Sequence, residues 1–253
     1  MTGASTEATG FVLPRAKLGV VVLSTNLTVE DEFRRMMPAD ISYYVARCVI
    51  PDASTSDREK EAELLALEKN LGAAARSVAM TRPELILFAC TIGSMLGGAG
   101  YDLAVSERIA RATGIPALTT GTAVVEALRS LGLRRLTVVS PYPEALGVVE
   151  KGHLEASVPG LSVLSMKHLG VVGSYEKNLL PASLAAGTAK EALVAGCDGL
   201  FVSCTAWPTL QVIEPLEREL GLPVITSTQA SLWACLRRCG IRDRLPFGRL
   251  FAA

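Results

Sequence analysis

The sequence predicts an α/β protein made of two parallel-sheet subdomains related by a pseudo-two-fold axis, with a site in the cleft between them. Three observations lead to this. Short apolar runs alternate with helical segments, the pattern of parallel strands with helices on both faces. One ordered set of motifs occurs twice at nearly constant spacing. Each half also ends an apolar run in cysteine and threonine: Leu85-Ile-Leu-Phe-Ala-Cys90-Thr91 and Gly199-Leu-Phe-Val-Ser-Cys204-Thr205. The carboxyl ends of strands in open α/β sheets are where ligand sites form.

The elements follow in order. Residues 1–16 read as a flexible tail, since they lack the basic start and apolar core of a signal peptide. The first lobe, 17–132, opens with a strand, Lys17-Leu-Gly-Val-Val-Val-Leu-Ser24. A helical segment is expected over 57–80, the cysteine strand over 85–90 and a helix over 102–112. A strand at 113–120 then leads into a helix at 123–132. The second lobe, 133–240, repeats this. Arg135–Ser140 matches the first strand, 181–195 is helical, and 199–204 is the cysteine strand. Pro208 is suited to the first position of a helix over 208–220. The strand at 220–227 leads into a helix at 230–240. Both last helices end in Leu-Arg-x-x-Gly, at Gly132 and Gly240, where glycine can stop a helix in the left-handed conformation. Residues 241–253 are expected to pack back on the lobes.

Composition narrows the function classes. The chain has 253 residues, 49% of them hydrophobic, enough for a sizeable core. Mean hydropathy is +0.35, so disorder is excluded as a description of the whole. Basic and acidic residues balance at 25 each, and no Lys/Arg cluster points to nucleic acid. No apolar run reaches the length of a membrane span. A cytoplasmic location is the default expectation, and there the six cysteines stay reduced. Without a Cys-x-x-Cys, no structural zinc site is expected, and neither histidine, His153 or His168, sits in a ligand-spaced motif.

The chemistry rests on the two matching thiols. Cys90 precedes a glycine-rich loop, Gly97-Gly-Ala-Gly100, whose N–H groups can bind an anion and favour a thiolate. Cys204 precedes the expected helix at 208, whose positive end would act in the same way. The plainer reading is that both are small buried hydrophobes; their duplication favours the functional one. Cys48, Cys197, Cys235 and Cys239 read as structural. After the first strand of each half come Asn26 and Tyr142, which can donate to a carboxylate. Asn26 could equally cap the helix beginning near Val29, and Tyr142 could be a buried aromatic with a satisfied hydroxyl. Thr119-Thr120 and Ser227-Thr228 could be helix caps, and Trp207 either shields the site or packs ordinarily.

These residues resemble the aspartate/glutamate racemase superfamily, in the branch holding maleate cis–trans isomerase, arylmalonate decarboxylase and an ectoine-utilisation relative. The motifs are Asn26-Leu-Thr-Val-Glu-Asp-Glu32, Ala-Cys90-Thr91-x-Gly-Ser, Ser-Cys204-Thr205-x-x-x-Thr-Leu, Leu222-Pro-Val-Ile-Thr-Ser-Thr-Gln-Ala-Ser-Leu-Trp233 and Phe247-Gly-Arg-Leu-Phe251. The resemblance runs from about Gly19 to Phe251. It implies two Rossmann-like lobes, no cofactor and no metal, and a small dicarboxylate substrate. It also implies that Cys90 attacks the double bond and that Cys204 supplies and reclaims the proton. Asn26, Thr91, Tyr142, Ser174, Thr205 and Ala206 would hold the carboxylates and the enediolate charge. At Ser174 the isomerases usually carry asparagine. An Asp/Glu- or hydantoin-type racemase or an arylmalonate-type decarboxylase using the same thiol pair is the first alternative, and a non-catalytic small-acid binding protein the second. The decarboxylase keeps only the second cysteine, so the pair argues against that activity. A homodimer or higher homo-oligomer is the expected assembly.

Overall fold

In the computed structural model the described residues are 13–50, Glu59 and 67–252. The expected tail lies mostly outside them, and so does most of 57–67 in the helix expected over 57–80.

Two four-stranded parallel sheets carry the fold. The first holds β1 (Ala16–Leu23), β2 (Ile41–Cys48), β3 (Leu85–Phe88) and β4 (Ala117–Thr119) in the order β2-β1-β3-β4. The second holds β5 (Arg135–Ser140), β6 (Ser162–His168), β7 (Gly199–Val202) and β8 (Val224–Thr226) in the order β6-β5-β7-β8. The register repeats as well, with Val21 beside Phe88 in one sheet and Val139 beside Val202 in the other.

Helices cover both faces of each sheet. The first half contributes α1 (Thr28–Met36), α2 (Glu68–Ala79), α3 (Tyr101–Thr113) and α4 (Thr120–Ser130). The second contributes α5 (Glu144–Ser157), α6 (Ala182–Ala192), α7 (Ile213–Leu220), α8 (Ser227–Arg238) and the short α9 (Arg249–Ala252). The period-2 alternation of a strand explains the uninterrupted apolar runs. In β3, Leu85 and Leu87 face a core shared by the two lobes, while Ile86 and Phe88 face α2 and α3. In β7, Phe201 joins the shared core and Leu200 and Val202 pack toward α6 and α7. Both faces are dry, so neither strand has a place for a polar residue. Burying each such side chain stabilises by about 1.5–3 kcal/mol.

The lobes meet along α4 and α8. Their Leu128, Val124, Leu232 and Leu236 share one core. Thr120 Oγ1 and Ser231 Oγ lie 2.9 Å apart across the seam, and Arg238 pairs with Glu126. Thr119 caps α4 through its side chain. Thr226 caps α8 in a capping box with Gln229, one residue before the expected Ser227-Thr228. Gly132 and Gly240 take positive φ, 68° and 76°, as their motif predicts. Each is followed by the long return bond of a left-handed helix stop, Leu133 N to Leu128 O at 3.0 Å and Ile241 N to Leu236 O at 2.8 Å. Beyond Gly240 the chain runs back over α7 and α8. Gln229 Nε2 donates to Phe247 O, and Glu217 accepts from Arg249 N.

Two sequence expectations need correction. The cysteine strands end at Phe88 and Val202, two residues before each thiol, because the chain leaves the ladder after Ala89 N and Ser203 N donate to Val21 O and Val139 O. Pro208 does not start a helix. A 3-10 turn occupies Leu210–Val212 and α7 begins only at Ile213. The edge strands β2 and β6 carry no expectation from the sequence. Among the described residues no helix is long and apolar enough to cross a membrane.

Candidate active site

The carboxyl ends of the four inner strands open onto one cleft with about 450 Å³ of empty space. The segment after β1 contributes Leu23, Thr25 and Asn26, and that after β3 contributes Cys90, Thr91 and Ile92. Tyr142 follows β5, and Cys204, Thr205 and Ala206 follow β7. Leu146 of α5 and the pair Ser174 and Lys177 complete the wall. All eight sequence-predicted site residues therefore line the same cavity, three from the first lobe, Asn26, Cys90 and Thr91, and five from the second, Tyr142, Ser174, Cys204, Thr205 and Ala206.

Asn26 lines the cleft and takes the capping role its sequence position allows. Its Oδ1 accepts from Val29 N at 2.9 Å and so caps the start of α1. That bond fixes the amide orientation and leaves Nδ2 as the donor for the cleft. Tyr142 is buried, and its hydroxyl is hydrogen-bonded to the Cys204 sulfur. Burial holds the phenol well above its ordinary pKa, helped by the neighbouring Cys204 and Glu150, so it stays a donor.

Cys204 sits at φ 98°, a conformation that costs an L residue energy. Burial raises its pKa above the ordinary thiol value. The Lys177 charge, the Tyr142 hydroxyl and the N–H groups of Ala206 and Trp207 oppose the rise without cancelling it. The sequence-level expectation of a helix end favouring a thiolate here is thus overturned. The N–H groups at that turn, Thr209 N and Leu210 N, donate instead to Glu32 Oε1 at 2.6 and 2.8 Å.

Beside Cys90 the corresponding expectation also changes. Residues 97–100 do not line the cleft, and Gly98 O meets His153 Nδ1 at 3.1 Å instead. The chain next to the thiol is a 3-10 turn, Ile92–Ser94. Gly93 matters there, because a Cβ at that position would stand 2.8 Å from the Cys90 sulfur. The two threonine hydroxyls serve the seam between lobes: Thr91 Oγ1 donates to Ser227 Oγ at 2.9 Å, and Thr205 Oγ1 to Ala89 O at 3.2 Å. Ser227 Oγ in turn accepts from Cys204 N at 3.0 Å. One hydroxyl thus ties both cysteine loops together.

Sequence reasoning missed Lys177. It is buried, in a 3-10 turn at Glu176–Leu179, with Nζ donating to Val172 O and Gly173 O at 2.8 Å each. Next to Glu176 in sequence, it reads as a solvated pair, and no local pattern marks it as buried. Trp207 is fully buried away from the cleft and is packing. Burial pushes the Cys48 thiol up to about 11 and the Cys235 thiol higher still, as suits inert structural cysteines. Among the described residues no group of three or more His, Cys, Asp or Glu is arranged to hold a metal ion.

The fold and the site together define a class: two-lobed α/β proteins in which each lobe presents one thiol to a shared cleft. The family model of arylmalonate decarboxylase matches residues 60–251. A maleate isomerase of Nocardia farcinica (strain IFM 10152) is 30% identical over 246 residues, 92% of this chain and 94% of that protein. An arylmalonate decarboxylase of Bordetella bronchiseptica is 31% identical over 162 residues, 62% of this chain and 67% of that one. Among solved structures, the Nocardia farcinica maleate cis–trans isomerase has been seen as a cysteine-to-serine mutant with a covalently bound succinylcysteine intermediate. It superposes with a TM-score of 0.85 at 27% identity, over 93% of this chain and 98% of that one. The chain belongs to the arylmalonate decarboxylase family, in the branch that includes the maleate isomerases.

Proposed function

We propose that the protein is a cis–trans isomerase of maleate or a similar small unsaturated dicarboxylate, working through Cys90 and Cys204. The observation that carries this reading is the pair of thiols, one from each lobe, lining one cleft, with burial raising the pKa of Cys204. A succinylcysteine intermediate in the Nocardia farcinica relative, formed with another cysteine replaced by serine, supports a division of labour between two thiols.

In this mechanism the Cys90 thiolate forms a C–S bond to one alkene carbon. The π electrons move to the other carbon and its carboxylate. Asn26 Nδ2 and the N–H groups of Thr91 and Thr205 hold the developing charge. The Cys204 thiol delivers its proton to that carbon, helped by the Tyr142 hydroxyl, which stabilises the thiolate left behind. The former double bond is now single and rotates. Cys204 removes the proton, the C–S bond breaks, its electron pair returns to Cys90, and the trans acid leaves. No atom or electron is gained overall. The same reading takes the protein as a two-fold homo-oligomer of the cytosol, where thiols stay reduced.

The test is proton NMR of maleate with purified protein. Fumarate should form with wild type and with neither Cys90→Ala nor Cys204→Ala. The Cys204→Ser variant should gain the mass of one maleic acid on the peptide that holds Cys90. Wild-type protein that leaves maleate and its close analogues untouched across the neutral range would sink the proposal.

A further inference from the structure

Lys177 brings a positive charge to a cleft that no other Lys, Arg, Asp or Glu lines among the described residues. Its position is built rather than incidental. The carbonyls of Val172 and Gly173 take two of its N–H bonds. The next residue, Asn178, clamps the whole turn onto the first lobe. Its Oδ1 accepts from Leu27 N at 2.9 Å and Thr28 Oγ1 at 3.1 Å, and its Nδ2 donates to Thr25 O at 3.0 Å. These bonds hold the turn that carries Lys177 against the first lobe. Its field is felt at Cys204, whose thiolate it favours. A buried cation acts through a lower effective dielectric than a surface one and attracts an anion more strongly.

The other donors in the cleft read charge less sharply. Asn26 Nδ2, the Ser174 hydroxyl and main-chain N–H groups bond a carboxylate oxygen about twice as strongly as a neutral carbonyl but bring no opposite charge of their own. An ammonium gains much more from the anion.

We propose that Lys177 is the specificity-determining residue of this cleft, pairing with one substrate carboxylate so that the site takes doubly charged diacids in preference to their singly charged half-amides. The proposal rests on the dicarboxylate reading of the site given above.

The experiment compares wild type, Lys177→Met and Lys177→Arg on maleate and on maleamate, which has nearly the same shape and one charge fewer. In Lys177→Met the ratio of kcat/KM for maleate to that for maleamate should fall about 10- to 150-fold, the size of one charge-assisted hydrogen bond. Lys177→Arg should keep most of the preference. An unchanged ratio in Lys177→Met would overturn the proposal, as would an equal proportional fall on both substrates.

A binding measurement needs no turnover. Succinate and succinamate are compared as protectants of Cys90 and Cys204 against iodoacetamide, read by peptide mass. Wild type should be protected at a lower concentration of succinate than of succinamate by a similar factor, and Lys177→Met should lose the difference. Equal protection of wild type by both overturns the proposal even if the methionine variant does not fold. Selective protection by succinate in a protein that does not isomerise maleate would leave the charge selectivity standing and remove the isomerase reading. Turnover of maleate with equal protection would do the reverse.

Discussion

Burial and hydrogen bonding act in opposite directions on the Cys204 sulfur. Loss of water favours the thiol, while Lys177, Tyr142 and two main-chain N–H groups favour the thiolate. Tyr142→Phe removes one of the opposing contributions and changes little else, because the ring stays buried. The pH at half-maximal alkylation of Cys204 should then rise, because a hydrogen bond that favours the thiolate is lost. Turnover should fall as proton transfer slows. Peptide-resolved labelling across pH measures the shift, and an unmoved midpoint would remove Tyr142 from the proton path. At this scale the sequence was informative where residue type and strand end coincide. Apolar runs closed by small polar residues mark Cys90, Cys204, Asn26 and Tyr142. It was uninformative about Lys177, whose burial comes from a turn folded against the other lobe. The positive φ of Cys204 was equally hidden, since that angle is set by how the loop closes and not by the residue itself.

Among the elements, α1 does more than cover its own sheet. Its Glu32 caps the turn before α7, and Thr28 Oγ1 donates to Ala206 O at 2.8 Å, so a first-lobe helix holds the loop that follows Cys204. Burial raises the Glu32 carboxyl from 4.5 to about 7, against the pull of the Thr209 and Leu210 N–H groups. The folded state therefore binds the proton more tightly than the unfolded chain. Glu32 contributes stability that is full below about pH 4.5 and is lost as pH rises through about 7, at most about 3 kcal/mol. Glu150, raised to about 8 by burial, adds a second loss with the same sign. Glu32→Gln keeps an oxygen for both N–H groups and cannot ionise. Its urea-unfolding free energy should fall less steeply between pH 5 and 8 than that of wild type, and equal slopes would contradict the assignment. Strands β3 and β7 were legible because both faces are dry. Strands β2 and β6 were not, because these two are half-buried and mix Tyr43, Tyr44, Arg47, Lys167 and His168 with apolar residues, which blurs the period. Pro208 misled because its fixed φ suits a turn as well as a helix start.

Across the whole molecule, the doubled motif order foretold the doubled sheet order, since each half must fold to the same parallel pattern. The seam was not legible. Asn178 and Thr25, or Thr91 and Ser227, lie too far apart in sequence for any local pattern to join them. Asn178→Ala leaves Leu27 N without its acceptor and frees the Lys177 turn. It should destabilise the protein by about 1–3 kcal/mol and speed amide hydrogen exchange around Leu27, with α2 and α3 unaffected. Unchanged exchange at Leu27 would show that the lobes are held together elsewhere. The seam also has a consequence for acidity. A cleft built from two identical copies of one lobe would be bound by symmetry to give both sulfurs the same surroundings. Here a covalent tether joins unlike halves, so the position matching Asn26 can be Tyr142, and a lysine can stand on one side alone. Broken symmetry is what lets two cysteines at equivalent strand ends stand in different surroundings, with Tyr142 and Lys177 acting on Cys204.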